Sequence, residues 1–218
     1  MAAKAVKKEV SRSTIVVDFM EYVLENDFPK NVYAFSKACE FSEAEFYNFF
    51  GSIDGIKKAI WVDLFNHVEE LLFKNEEYSN YASREKLLSF YFTFFELLTA
   101  NRSYVLFALK EGKNKLESLK QLSDLRKNVV EFGKALVEAD NENQNLKFLK
   151  KPVSIVSEAT WLQFLFLLKF WMNDDSQGFE KTDVAIEKSV NTVFDVLDNT
   201  PLDSIIDFGK FLWKEKMA

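Results

Sequence analysis

Apolar residues recur along the chain at intervals of three and four, the spacing that lines one face of an α-helix. Between residues 14 and 25, Ile15, Val16, Phe19, Met20, Val23 and Leu24 share a face, with Ser13 as the expected cap. This helix should stop at "ENDFPKN", where Asn26 tolerates the left-handed conformation and Pro29 blocks continuation. A second short helix is expected from Asn31 to Cys39, with Val32, Phe35 and Ala38 turned inward. A third starts at Ser42, where Ser42 and Glu45 form a capping box, and ends near Phe50 before Gly51. The fourth is longer, about Asp54 to Lys74, with an inner stripe of Ile56, Ile60, Leu64, His67 or Val68, and Leu71.

Beyond "KNEEYSNYAS" the helices lengthen and their apolar residues become larger. The pattern predicts them at about 83–100, 103–111, 113–139, 152–174, 181–198 and 202–216. Linkers are expected at 75–82, 139–145 and 173–178. The predicted domains are therefore residues 1–54, of short helices, and residues 55–218, in which 55–74 form a linker helix.

Composition supports an all-α chain. Of 218 residues only 6 are Gly and 3 Pro, fewer than a strand-rich chain needs for its turns. The single cysteine, Cys39, excludes an internal disulfide and a cysteine-based zinc site within one chain. The basic start "MAAKAVKKEVSRS" lacks an apolar signal core, and "WLQFLFLLKFWM" is a short run interrupted by Gln163 and Lys169, so a cytoplasmic protein is expected. Net charge is -6, which opposes nonspecific binding to nucleic acid. Residues 1–58 nearly balance, with eight Lys or Arg against nine Asp or Glu. His67 has no second His or Cys nearby, and no nucleophile elbow or phosphate-cradling glycine loop occurs. No catalytic residue, metal site or cofactor is assigned, and an enzyme is not expected.

The stretch "KNVYAFSKACEFSEAEFYNFFGSIDGIKKAIW" resembles the helix-turn-helix of the TetR (TetR/AcrR) family of transcriptional regulators. Val32, Phe35, Ser36, Ala38, Phe41 and Ser42 match the family's second helix and turn. Phe46, Tyr47 and Phe50 match the end of its recognition helix, and Ser52, Asp54, Ile56 and Ala59 open the fourth helix in register. The resemblance implies an all-α, TetR-like fold: an N-terminal three-helix reader and a C-terminal helical domain for ligand binding and dimerisation. Departures fall on DNA-facing positions. The family's turn glycine is Glu40 here, acidic residues stand at Glu43 and Glu45, its histidine is Phe49 and its lysine after the third helix is Ile53. Each change removes a donor or adds negative charge. Glu45 is read first as a capping residue.

By the resemblance, the DNA-binding residues are Tyr47, Asn48, Ser42, Lys37 and Lys57, with help from an N-terminal arm of Lys4, Lys7, Lys8 and Arg12. A pocket for an apolar or aromatic small molecule is expected around Phe94, Glu96, Tyr104, Trp161 and Phe164. The helix at 159–172 is apolar almost all round, so it should pack on its own domain and on a second copy. The homodimer interface is expected at Leu165, Leu168, Met172, Val190 and Phe194. The expected partners are thus a second copy, double-stranded DNA and a hydrophobic small molecule. Two functions fit these features: a DNA-binding regulator controlled by such a ligand, or a non-DNA-binding TetR-fold protein that binds a lipid or other hydrophobic ligand.

Overall fold

The computed structural model describes residues 10–110, 118–142 and 150–199, and all regular structure among them is helical. Four helices open the chain: α1 (Arg12–Asn26), α2 (Val32–Ala38), α3 (Glu43–Tyr47) and α4 (Ile53–Phe73). They are followed by α5 (Ser83–Ala100), α6 (Arg102–Lys110), α7 (Ser123–Glu142), α8 (Val153–Met172) and α9 (Glu180–Asn199). Short 3-10 turns at Glu76–Asn80, Lys120–Leu122 and Gln177–Phe179 lie between them. The helix expected at 202–216 and the lysines of the N-terminal arm lie outside the described residues.

Local chemistry corrects several boundaries. The cap of α1 is Ser11 rather than Ser13: its hydroxyl accepts from the Thr14 amide at 3.2 Å, and the Thr14 hydroxyl accepts from the Ser11 amide at 2.8 Å. The positive φ that ends α1 belongs to Asp27 (71°), not Asn26. In α2, Ser36 is buried and Ala38 is exposed, and in α4 both His67 and Leu71 are exposed while Trp61, Phe65 and Leu72 are buried. The helix expected at 113–139 is interrupted by the 3-10 turn at Lys120–Leu122, then runs into the linker expected at 139–145, to Glu142.

Two compact units result, one drawn from Met1–His67 and Leu97–Leu125, the other from Val68–Glu96 and Arg126–Ala218. Compactness therefore does not follow the expected division after residue 54: α6 packs on α1. In the first unit Phe35 has no exposed surface. The rings of Phe19 (5.3 Å), Phe41 (5.2 Å), Tyr22 (5.6 Å) and Phe46 (6.1 Å) meet it edge to face, the geometry that aromatic quadrupoles favour. One residue of α2 thereby gathers α1, the α2–α3 turn and α3. On α4 the buried Trp61 indole donates to Gln121 Oε1 at 3.0 Å, and the Gln121 amide donates to the carbonyls of Ala108 (2.8 Å) and Ser118 (3.0 Å). A buried amide is thus satisfied on both ends.

The α2–α3 turn closes by a hydrogen bond from the Phe41 amide to the Ser36 carbonyl (3.0 Å), with Phe41 packed on Phe35. That bond and that apolar contact define a helix end whose C′ residue takes a positive φ. The C′ residue is Glu40, at φ 60°, a conformation that costs a side-chain-bearing residue about 1 kcal/mol relative to glycine.

The core of the second unit is aromatic. Phe90 stacks on Phe132 at 4.5 Å, Phe94 meets Phe164 edge-on at 5.1 Å, and Trp161 stacks on Phe164 at 5.4 Å. The Tyr91 hydroxyl donates to the Thr160 carbonyl at 3.0 Å, and burial pushes its pKa up. Helices α7 and α8 approach closely at Gly133, where a Cβ would lie 2.5 Å from Thr160 Oγ1; any larger residue forces the helices apart. Helix α8, at 20 residues, is long and apolar enough to cross a bilayer, which the shorter run read from sequence did not suggest. Its Trp161, Phe164, Leu167, Leu168 and Trp171 are nevertheless buried in the unit.

The α8–α9 joint is organised by one buried carboxylate. Asp174 Oδ1 accepts from the Ser176 amide (2.9 Å) and hydroxyl (2.6 Å), and Oδ2 from the Thr182 amide (2.9 Å) and hydroxyl (2.6 Å). Burial acts to raise its pKa, but these four donors outweigh it and hold the group well below the usual carboxylate range.

A group with a depressed folded pKa contributes stability that is full above its unfolded pKa, near 3.9, and is lost as pH falls through the folded value. Asp174→Ala should therefore cost about 2 kcal/mol at neutral pH, and the gap from the parent should narrow below about pH 4 in denaturant titrations. Glu40→Gly should instead stabilise the chain by about 0.5–1 kcal/mol in the same measurement, because it relieves the positive φ; a loss of stability would contradict the turn geometry.

Candidate nucleic-acid interface and outer groove

Helix α3 is short, and its cap sets its orientation. The Ser42 amide and hydroxyl each donate to Glu45 Oε2 at 2.7 Å, and the Glu45 amide donates back to Ser42 Oγ at 3.2 Å. The expected capping box is present, and it occupies the Glu45 carboxylate. On the inner side Phe46 is fully buried and Phe50 nearly so. Glu43 pairs with Tyr47, and Ala44 with Asn48, at i,i+4 spacing, and all four are exposed. Tyr47 is 54% exposed, with its ring edge-on to Phe46 at 5.6 Å. Of the sequence-derived DNA contacts, Ser42, Tyr47 and Asn48 thus lie at the surface of one short helix and its cap. Phe49, where the family has histidine, is 41% exposed.

The cations are arranged differently from expectation. Lys37 is exposed on α2, with its ammonium 6.0 Å from the centre of the Tyr33 ring. Lys57, expected to contact DNA, is only 8% exposed. Its ammonium sits 4.0 Å over the Phe28 ring and 3.9 Å from Asp54 Oδ1. The aliphatic stem packs inward and the ring face holds the charge, so this position is withdrawn from a DNA surface. Arg12, expected in the arm, is paired with Asp63 Oδ2 at 2.6 Å. A feature missed in the sequence lies nearby: Asp18, Glu21, Glu25 and Glu40 line one cleft of about 340 Å³ with Tyr22 and Cys39. The spacing 18, 21, 25 along α1 contained that signal, but the contribution of Glu40 needed the turn.

The expected ligand pocket is corrected by packing. Phe94 and Phe164 have no exposed surface, Trp161 is buried, and the three rings fill one another's space. Glu96 is exposed and contributes with Asp174 and Glu180 to raising the Asp183 pKa, after burial as the leading cause. Tyr104 is buried in the other unit. An enclosed void beside this core, lined by Ser83, Gly133, Asp140, Lys151 and Thr160 among others, measures about 20 Å³, room for about one water. Among the described residues no group of three or more His, Cys, Asp or Glu is placed to hold a metal.

The outer face of α8 and α9 carries the larger opening, a shallow groove of about 980 Å³. Leu162, Phe166, Phe170, Val184, Ala185 and Val193 line it, with Glu180, Lys181 and Lys188 among its polar members. Leu162 is 64% and Phe166 54% exposed. The expected interface residues lie elsewhere: Leu168, Val190 and Phe194 are buried within the unit, and Leu165 and Met172 are partly buried. The exposed register, 155, 162, 166 and 170, is displaced around α8 from the one expected. Because α8 is apolar on nearly every side, periodicity had no polar stripe from which to fix the face.

Residues 86–212 match the family model described as the tetracyclin repressor-like C-terminal domain, more than half the chain. No curated protein matches the sequence. The fold is similar to the crystal structure of a protein described as a TetR-family transcriptional regulator from Syntrophomonas wolfei str. Goettingen. The TM-score is 0.67 at 15% identity, covering 84% of this chain and 93% of that one.

Proposed function

Because the chain belongs to the TetR family of transcriptional regulators, we propose that it is a homodimeric, non-enzymatic DNA-binding regulator. Its reader is the outward face of α3, with Ser42, Tyr47, Asn48 and Lys37 contacting the duplex. The observation that carries this reading is the capped α3 itself: Phe46 anchors one side, and the opposite side presents only exposed residues. A short helix held this way suits entry into a major groove. The second copy covers the α8–α9 groove, where Leu162 and Phe166 supply the apolar centre of an interface. The aromatic cluster of Phe94, Trp161 and Phe164 leaves no room for an effector and belongs to the core.

A second reading, a TetR-fold protein that binds a hydrophobic ligand without reading DNA, is favoured by the charge arrangement of the first unit. Glu43 is exposed on the reading face, the acidic cleft lies in the same unit, and Lys57 is withdrawn. Carboxylates near phosphates repel, and few cations remain to offset them.

Selection from a random duplex pool, followed by fluorescence anisotropy over a salt series, separates the two. A dimer making ~4 phosphate contacts should prefer a palindromic site and lose about 100-fold in affinity between about 50 and 200 mM salt. Failure to bind any duplex at about 50 mM salt would overturn the regulator reading in favour of the second. Sedimentation tests the interface separately: Leu162→Glu with Phe166→Glu should yield a folded monomer by circular dichroism, whereas Leu168→Glu, a core change, should lower thermal stability.

A further inference from the structure

From the outward face of α3 we infer a base preference: Glu43 selects a cytosine in each half-site. The inference rests on the DNA-reading function proposed above and assigns a specificity-determining residue within it. Two carboxylates stand on this helix, and the structure separates their roles. Glu45 is held by the Ser42 amide and hydroxyl at 2.7 Å each, so it cannot reach a base without uncapping α3. Glu43 takes no part in the cap, is exposed, and shares its face with Ala44, Tyr47 and Asn48.

No lysine or arginine lies between Lys37 and Lys57, so the guanine contact that basic recognition helices make is missing from this face. An ionised carboxylate can only accept. In the major groove, guanine offers the acceptors N7 and O6, and thymine offers O4; all three repel it. Adenine offers its amino group beside the acceptor N7, whereas cytosine offers the N4 amino group beside a C5–H. Cytosine is therefore the base whose own major-groove edge gives Glu43 a donor and no acceptor; the acceptor across the pair, guanine O6, has its counterpart in thymine O4 beside adenine. The same repulsion makes Glu43 reject guanine and thymine actively, so acidity at this position supplies selectivity at the expense of overall affinity.

The test uses full-length protein and the duplex recovered by selection. Each C·G pair of a half-site is replaced in turn by T·A, symmetrically in both halves, and affinities of the parent and Glu43→Gln are compared at one salt concentration. One position should show a loss of about 10- to 100-fold in the parent and under about 3-fold in Glu43→Gln, because a carboxamide can donate to thymine O4 as well as accept from cytosine. Unchanged melting of Glu43→Gln is the folding control, since the cap belongs to Glu45. If every substitution costs the parent and Glu43→Gln alike, the inference is overturned while DNA reading stands. If no duplex binds the parent at all, the regulator reading fails and takes this inference with it.

Discussion

Phe35 is the constraint on which the N-terminal arrangement rests. It contributes no chemistry to a ligand, yet α1, the turn before α3, and α3 each place an aromatic edge against it. Each such contact contributes about 0.5–1.5 kcal/mol beyond burial, comparable to the cost of the positive φ at Glu40. The turn can therefore hold a residue other than glycine because Phe41 is anchored on its far side. The outward face of α3 is a by-product of this packing: with Phe46 and Phe50 committed inward, residues 43, 44, 47 and 48 have only the surface left to them.

Helix α8 shows the opposite situation, an apolar surface larger than one layer of neighbours can cover. Trp161, Phe164, Leu167, Leu168 and Trp171 are buried by the unit, and Leu162 and Phe166 remain exposed on the other side. An exposed apolar surface of this kind on an ordered helix marks an interaction site. Its breadth also explains why the helix satisfies the length and apolarity of a bilayer span while most of its bulky rings point into a protein core.

How much of this was legible in the sequence depended on whether a residue's role was decided locally. The Ser42–Glu45 cap, the burial of Phe35 and, among the described residues, the order of the helices followed from spacing within one or two turns, and the structure reproduces them. The TetR-like architecture was legible from the aromatic tail of the third helix. Roles set by distant partners were not. Lys57 looked like one cation among several until Phe28, 29 residues away, placed a ring beneath it at 4.0 Å. Arg12 was removed from the supply of free cations by Asp63, 51 residues away. The expected pocket failed for a related reason: aromatic content predicts bulk, and only coordinates reveal whether Trp161 and Phe164 leave a gap or stack at 5.4 Å. On α8, a polar stripe was missing, so the outward face stayed undetermined until α9 was in place.

The joint between α8 and α9 bears on partner choice. Asp174 fixes both the short turn and the first turn of α9 through four donors, so the angle between α8 and α9 is set by a polar side chain outside their apolar faces. In the proposed homodimer two copies fit face to face only if their angles agree. A related chain could carry identical residues along α8 and α9 and still be a poor match, if its joint were built on a different cap. In the proposed homodimer, self-recognition is then encoded at the hinge as much as on the faces it displays.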